Sequence, residues 1–247
     1  MSTPLPGALR LAFSTAAHQP AIKRLFDPAI KNSIDPDGQV AGREGETFSR
    51  HVVQGHAAVL EDGQGNTHTL TMAWHLAASG DTQPRPRHIE IGTALTCLPG
   101  FHSASVVTSA LALAEWWRPT LPRGLIAAEV GNDNIPSVKL FRNTLGWRPL
   151  KDPKAIREIN GLSYANVVDY SHTDDSKTWY VCARAARVKA AATLLAFMDR
   201  GNLIHKDGRS IPLDLSALAS IGLTRPHLEA LARGITTKKD LRSLPLA

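Results

Sequence analysis

Residues 88–107, H-I-E-I-G-T-A-L-T-C-L-P-G-F-H-S-A-S-V-V, constrain the fold more than any other stretch of the chain. The first eleven alternate apolar with small or polar residues, which predicts a long strand. Pro99 and Gly100 interrupt the alternation, and S-A-S-V-V-T-S-A-L-A-L-A-E-W-W then carries helical spacing up to Pro119. A serine at its start has the chemistry of an N-cap. A strand that feeds a helix through so short a loop puts helical backbone N–H groups at the strand's carboxyl end. Anions bind at such places.

The flanking segments define the rest of the sheet. L-R-L-A-F-S-T-A is a predicted strand, followed by a helix through Ile22, Leu25 and Phe26. Residues 35–50, rich in Gly, Asp and Glu, are expected to form a long loop. E-D-G-Q-G-N between two alternating runs predicts a hairpin, with Leu70, Met72, Trp74 and Leu76 on one face of its second strand and Thr71, Ala73 and His75 on the other. G-L-I-A-A-E-V is a buried strand. N-I-P-S-V-K-L-F-R-N-T-L-G-W is a short helix ending at glycine and leading into strand W-R-P-L. Residues 164–170 and 179–183 are further strand candidates, 184–200 a helix, and I-H-K-D-G-R-S-I a small hairpin. Antiparallel hairpins mixed with helix crossovers predict one α+β sheet.

Composition limits the setting. Over 247 residues, 43% hydrophobic content suits a globular core. The two cysteines, Cys97 and Cys182, lie among apolar or small residues, which favours reduced thiols and, with no signal-peptide pattern at the start, a cytoplasmic location. The apolar run A-A-A-T-L-L-A-F-M is too short to span a bilayer. From residue 183 onward eleven Lys and Arg face five Asp and Glu, whereas the rest of the chain has 17 of each sign. Such asymmetry points to a polyanion, and equally to a solubilised tail. His51 and His56 are separated by four residues and no metal-binding spacing appears, so no metal is expected.

Over roughly residues 8–155, on element order and on the segments 88–107 and V-G-N-D-N-I-P-S-V-K-L-F-R-N-T-L-G-W, the chain resembles the GNAT N-acyltransferase superfamily. The resemblance implies a mixed, mostly antiparallel sheet flanked by helices, with acetyl-CoA or another acyl-CoA as cofactor. In that family a proline is followed by Arg-Gly-x-Gly-x-Gly/Ala, whose amides hold the cofactor's diphosphate. Anchored on Pro99, His102 takes the arginine position, Ser103 and Ser105 the first two glycines, and Val107 the third. Thr96, Cys97, Leu98, His102, Ser103, Ala104 and Ser105 are then implied cofactor contacts, together with Asn134 and Phe141 of the second segment. Serine keeps a small donor there, although glycine is what lets a backbone come close. The other reading is a structural turn with Ser103 as the N-cap. Phe141 stands where many members place a proton-donating tyrosine, and the run from Phe141 to Gly146 is one residue longer than usual.

Aminolysis of a thioester needs a base for the amine proton. Glu90, flanked by Ile89 and Ile91, lies where relatives often place one, and an ion pair with Arg87 is its alternative. His75 on the adjacent strand is the second candidate, or a surface histidine. The chain divides into a GNAT-like domain, 1–183, and a basic helical module, 184–247. In the latter, G-L-T…L-x-x-L-x-x-G-I-T-T-x-x-D-L resembles helix-hairpin-helix DNA-binding units, which implies phosphate contacts from Arg233, Gly234, Thr236, Thr237, Lys238 and Lys239. A helical cap on the main domain is the alternative. The leading expectation is acyl transfer to an amine on a nucleic-acid-associated acceptor such as a modified DNA base, with phage Mom-type DNA modification proteins as a family-level precedent. Transfer to a small amine or protein amino group, and a non-catalytic DNA-binding GNAT fold, are the alternatives.

Overall fold

The computed structural model describes residues 6–37, 46–78, 88–111, 125–164 and 176–234. Strands β1 (Leu9–Phe13), β2 (Ala57–Asp62), β3 (Thr67–Ala78), β4 (His88–Thr96), β5 (Ile126–Gly131), β6 (Arg148–Pro149), β8 (Lys177–Val181), β9 (Asn202–Ile204) and β10 (Ser210–Asp214) form one mixed sheet, ordered β6-β8-β5-β4-β3-β2-β1-β10-β9. The pairs β4–β5 and β1–β10 are parallel and the other neighbours antiparallel. β7 (Leu162–Tyr164) joins β3 at Leu76–Ala78, beyond the point where β2 ends opposite Met72.

Helices cover both faces, giving a mixed α+β architecture with a mostly antiparallel sheet. The E-D-G-Q-G-N hairpin forms as the alternation predicts, closed by Asp62, whose carboxylate accepts from the N–H groups of Gln64 (2.9 Å) and Asn66 (3.0 Å). Leu70, Met72, Trp74 and Leu76 share one core with Ile22 and Leu25 of α1 (Gln19–Leu25), as expected from their period. A second short helix, α2 (Pro28–Ile34), follows behind an Asp27 cap.

On the opposite face α4 (His102–Ser109) lies across β1–β4, and its Thr108 hydroxyl accepts from that of Thr71 on β3 at 2.8 Å. Here the serine cap is corrected. The residue before the helix is Phe101, buried and without a side-chain capping bond, because core packing selects an aromatic where local capping chemistry prefers a hydroxyl. The expected loop over 35–50 is corrected at its end by α3 (Glu46–Val53), which is secured by full burial of Val52 rather than by composition.

Past β5, α5 (Ile135–Val138) runs into a π-helical turn over Lys139–Thr144, where the Leu145 N–H donates to Leu140 O, five residues back. That turn absorbs the extra residue between Phe141 and Gly146 without displacing Phe141 from the core. α6 (Pro153–Asn160), which the strand reading of W-R-P-L stops short of, starts at an Asp152 cap with proline in its first turn.

Residues 184–234 add α7 (Arg184–Arg200), strands β9 and β10, α8 (Ala217–Ser220) and α9 (Arg225–Ala232). β10 lies beside β1, and Leu218, Leu228 and Leu231 are fully buried in the core that α4 and α7 share. Thr224 bonds the His227 ring at 2.6 Å instead of capping α9. Among the described residues no helix is long and apolar enough to cross a membrane.

Candidate active site

The sequence of β4 makes it part company with β5. The two strands are in register at Ile89↔Ile126 and Glu90↔Ala127, and the ladder between them stops there although β4 runs on to Thr96 and β5 to Gly131. The cause lies in β4. Met72 faces Gly92 and Leu70 faces Leu95, so two steps on β3 oppose three on β4, a bulge. Thr93 sits in it at φ 53°, and its hydroxyl accepts from the Trp74 indole N–H at 3.2 Å. A bulge bends and twists its strand, which opens the parallel pair and leaves backbone donors and acceptors on the facing edges.

At the end of β4 the loop is braced. The Thr96 hydroxyl bonds Thr69 at 3.0 Å and accepts the Leu98 N–H, and the Cys97 N–H donates to His68 O. Burial pushes the half-buried Cys97 thiol upward in pKa. Gly100 has φ 82°, and a Cβ there would lie 1.9 Å from Nε2 of His205, on the β9–β10 turn. Lys206 N–H donates to Gly100 O at 3.2 Å, so this turn fixes the start of α4. His205 also packs at a tilt against Phe101, ring centroids 4.9 Å apart, and Asp207 and Arg209 hold its ring.

The first turn of α4 follows. His102 is exposed, Ser103 and Ser105 half-buried, and Leu98, Ala104 and Val107 turn their side chains into the core. Ser103 Oγ is enclosed and bonds no protein atom among the described residues. Val107 therefore leaves the mouth of the helix clear; the Ala104 N–H donates to Phe101 O at 2.9 Å, and with no capping side chain at Phe101 the His102 and Ser103 amides are left as donors.

Glu90 is buried opposite Trp74 and Ala127. Its Oε1 lies 3.0 Å from where a Cβ on Gly92 would stand, so the glycine makes room for the carboxylate. His75 leaves β3 on the other side, opposite Ile89, and stacks at 4.0 Å on His56. The structure thus separates the two candidate bases, and Trp74 is the residue that shares Glu90's face. His51 of α3 lies 5.0 Å from the Trp74 ring and 5.4 Å from His56. The sequence reading missed this grouping because only tertiary folding places α3 at the gap between β2 and β7. Among the described residues no group of three or more His, Cys, Asp or Glu is arranged to hold a metal ion.

Asn134 caps α5 by accepting from the Ser137 N–H at 3.1 Å, and Phe141 is buried against Trp147 at 5.0 Å. In the C-terminal segment Arg233 is exposed and the Gly234 carbonyl accepts from Arg184 at 2.8 Å. Thr236, Thr237, Lys238, Lys239 and Arg87 lie outside the described residues, as does the T-T-x-x-D-L stretch that would complete a helix-hairpin-helix.

No family model and no curated protein matches the chain. Among solved structures it is similar to a GNAT-family acetyltransferase from Listeria monocytogenes, at 9% identity over 73% of this chain and 98% of that one, TM-score 0.42. A GCN5-related N-acetyltransferase from Brucella melitensis matches at 10% identity over 96% and 92%, TM-score 0.45. A GNAT-family acetyltransferase from Bacillus anthracis matches at 12% over 72% and 95%, TM-score 0.40.

Proposed function

We propose that this chain is a GNAT-type acyltransferase that moves an acyl group from acyl-CoA, acetyl-CoA in the simplest case, to an amine. The observation that carries the reading is the parallel pair β4–β5 losing its ladder after Glu90, beside an α4 whose first turn has no capping side chain. Bound acyl-CoA supplies a thioester-activated acyl group. The amides of His102 and Ser103, with the His102 ring and the Ser105 hydroxyl, hold its diphosphate, and Ala104 lines the same turn. Thr96, Cys97 and Leu98 offer backbone groups along the open edge, and Asn134 stands across the gap at the end of β5. Glu90 accepts the amine's proton, with Trp74 as the wall beside it, and His75 is the second candidate. The excess of cations after residue 183 supports a nucleic-acid-associated acceptor, such as a modified DNA base, contacted through Arg233, Gly234, Thr236, Thr237, Lys238 and Lys239.

Calorimetric titration with acetyl-CoA tests the cofactor reading. Wild type should bind saturably, and Ser105→Trp should weaken binding by about tenfold or more at an unchanged melting temperature. Absence of saturable binding by the wild type, or equal binding by the variant, would overturn it. Glu90→Gln should then slow transfer to an amine by roughly 100-fold while leaving acetyl-CoA affinity unchanged.

A further inference from the structure

Residues 139–157 hold six cations, Lys139, Arg142, Arg148, Lys151, Lys154 and Arg157, against one carboxylate, Asp152. All six are exposed, and among the described residues none has an ion-pair partner. Asp152 is turned to the start of α6, where it accepts the Lys154 N–H at 3.0 Å. The next carboxylate, Glu158, faces His88 at 3.5 Å. Among the described residues the positive charge of this stretch is therefore uncompensated.

The path of the chain concentrates that charge. The π-helical turn packs Phe141 and Leu145 on one face of the sheet, while Ile159 of α6 and Leu150 belong to the core on the other. Between them the chain crosses the sheet margin at β6, the outermost strand on that side. Lys139 and Arg142 thus stand on one face, Arg148 and Lys151 at the margin, and Lys154 and Arg157 on the other face. Together they form a basic rim.

We propose that this rim is a nucleic-acid-binding surface that grips the phosphodiester backbone. A duplex carries about one negative charge per 1.7 Å of its axis, a density that suits cations strung along a sheet margin. Three of the six are arginines, whose forked donors match phosphate oxygens. An acidic protein partner or a membrane fits less well. No large apolar side chain between 139 and 157 is exposed, and Trp147, the aromatic that would anchor a protein contact, is buried. Binding at the rim needs no acyl-CoA, since it is to the phosphodiester backbone, and it is distinct from the phosphate-binding role proposed for residues 233–239.

The test uses the full chain and fluorescence anisotropy with a labelled 25-bp DNA duplex, a single-stranded RNA of the same length and a labelled poly-glutamate peptide, in 50, 100 and 200 mM salt. Two variants are compared with wild type: Arg142→Ala/Arg148→Ala/Lys151→Ala/Lys154→Ala, and Arg233→Ala/Lys238→Ala/Lys239→Ala. The rim variant should bind DNA, RNA or both about tenfold or more weakly. Its salt slope on the duplex should fall by roughly 0.9 for each phosphate that the protein no longer neutralises, with melting temperature and acetyl-CoA affinity unchanged. The proposal fails if wild type binds neither nucleic acid, if the rim variant binds as wild type does, or if poly-glutamate binds as tightly as nucleic acid. Failure of acetyl-CoA titration alone sinks the enzymatic reading and leaves the rim untouched.

Discussion

Two neighbouring parallel strands, β4 and β5, each hand the chain to a helix, and the two handovers are built differently. At the end of β5 the Asn134 side chain accepts the Ser137 N–H and closes the mouth of α5. At the end of β4 the equivalent place is taken by Phe101, whose buried side chain has no acceptor to offer. The lesson is that a capped helix start is a finished structural joint, whereas an uncapped one keeps its donors for something else. The protein stabilises the uncapped mouth from outside, with His205 and the Lys206 N–H of the β9–β10 turn.

The largest expected effect comes from attacking that external brace. Gly100→Ala puts a side chain at φ 82° and into the His205 ring, and should cost about 1–3 kcal/mol in a denaturant melt, with acetyl-CoA binding impaired as the mouth shifts. Restoring much of the stability in Gly100→Ala/His205→Ala would show that the collision, rather than the dihedral, dominates. Next, Asn134→Ala should cost about 1 kcal/mol and weaken acetyl-CoA less than Ser105→Trp does, because the Asn134 side chain is spent on closing its own helix. His102→Glu should separate the two roles most sharply. A carboxylate in the first turn of α4 should stabilise the fold by about 0.5 kcal/mol while weakening acetyl-CoA by repelling its diphosphate. If affinity rises with stability, the mouth is no anion site.

The smallest effect is a pH dependence confined to the brace. Desolvation, the largest single influence, raises the Asp207 carboxyl, but hydrogen bonds from the Arg209 backbone and from the His205 and Arg209 side chains, with the Arg209 charge, together outweigh it and bring the pKa to about 2. A carboxyl depressed in the fold contributes stability above its unfolded value, about 3.9, and loses that contribution as pH falls toward 2. Amide exchange at residues 205–209 and at Gly100 should therefore accelerate through that window, while the Asn134 mouth stays protected.

Local pattern was enough for the elements around these mouths. The period-2 run of β3, the E-D-G-Q-G-N turn and the helix 184–200 all form as the side-chain spacing dictates. α3 was illegible because its composition reads as loop, and its burial depends on strands far away in sequence. The candidate site was legible as a strand-loop-helix segment with Glu90 in the strand. That Glu90 shares a face with Trp74 and not with His75, and that His205 braces Gly100 from about a hundred positions further along, was not.

By itself, then, the sequence determined the mixed sheet and the handover at Pro99–Gly100, since both follow from hydrophobic period and backbone stereochemistry, which act over a few residues. Charge shows the opposite case. Counted along the chain, the first three quarters balance. Only the crossing from one face of the sheet to the other at β6 strings six cations around a single margin, because electrostatic fields depend on distance in space and not on separation in sequence.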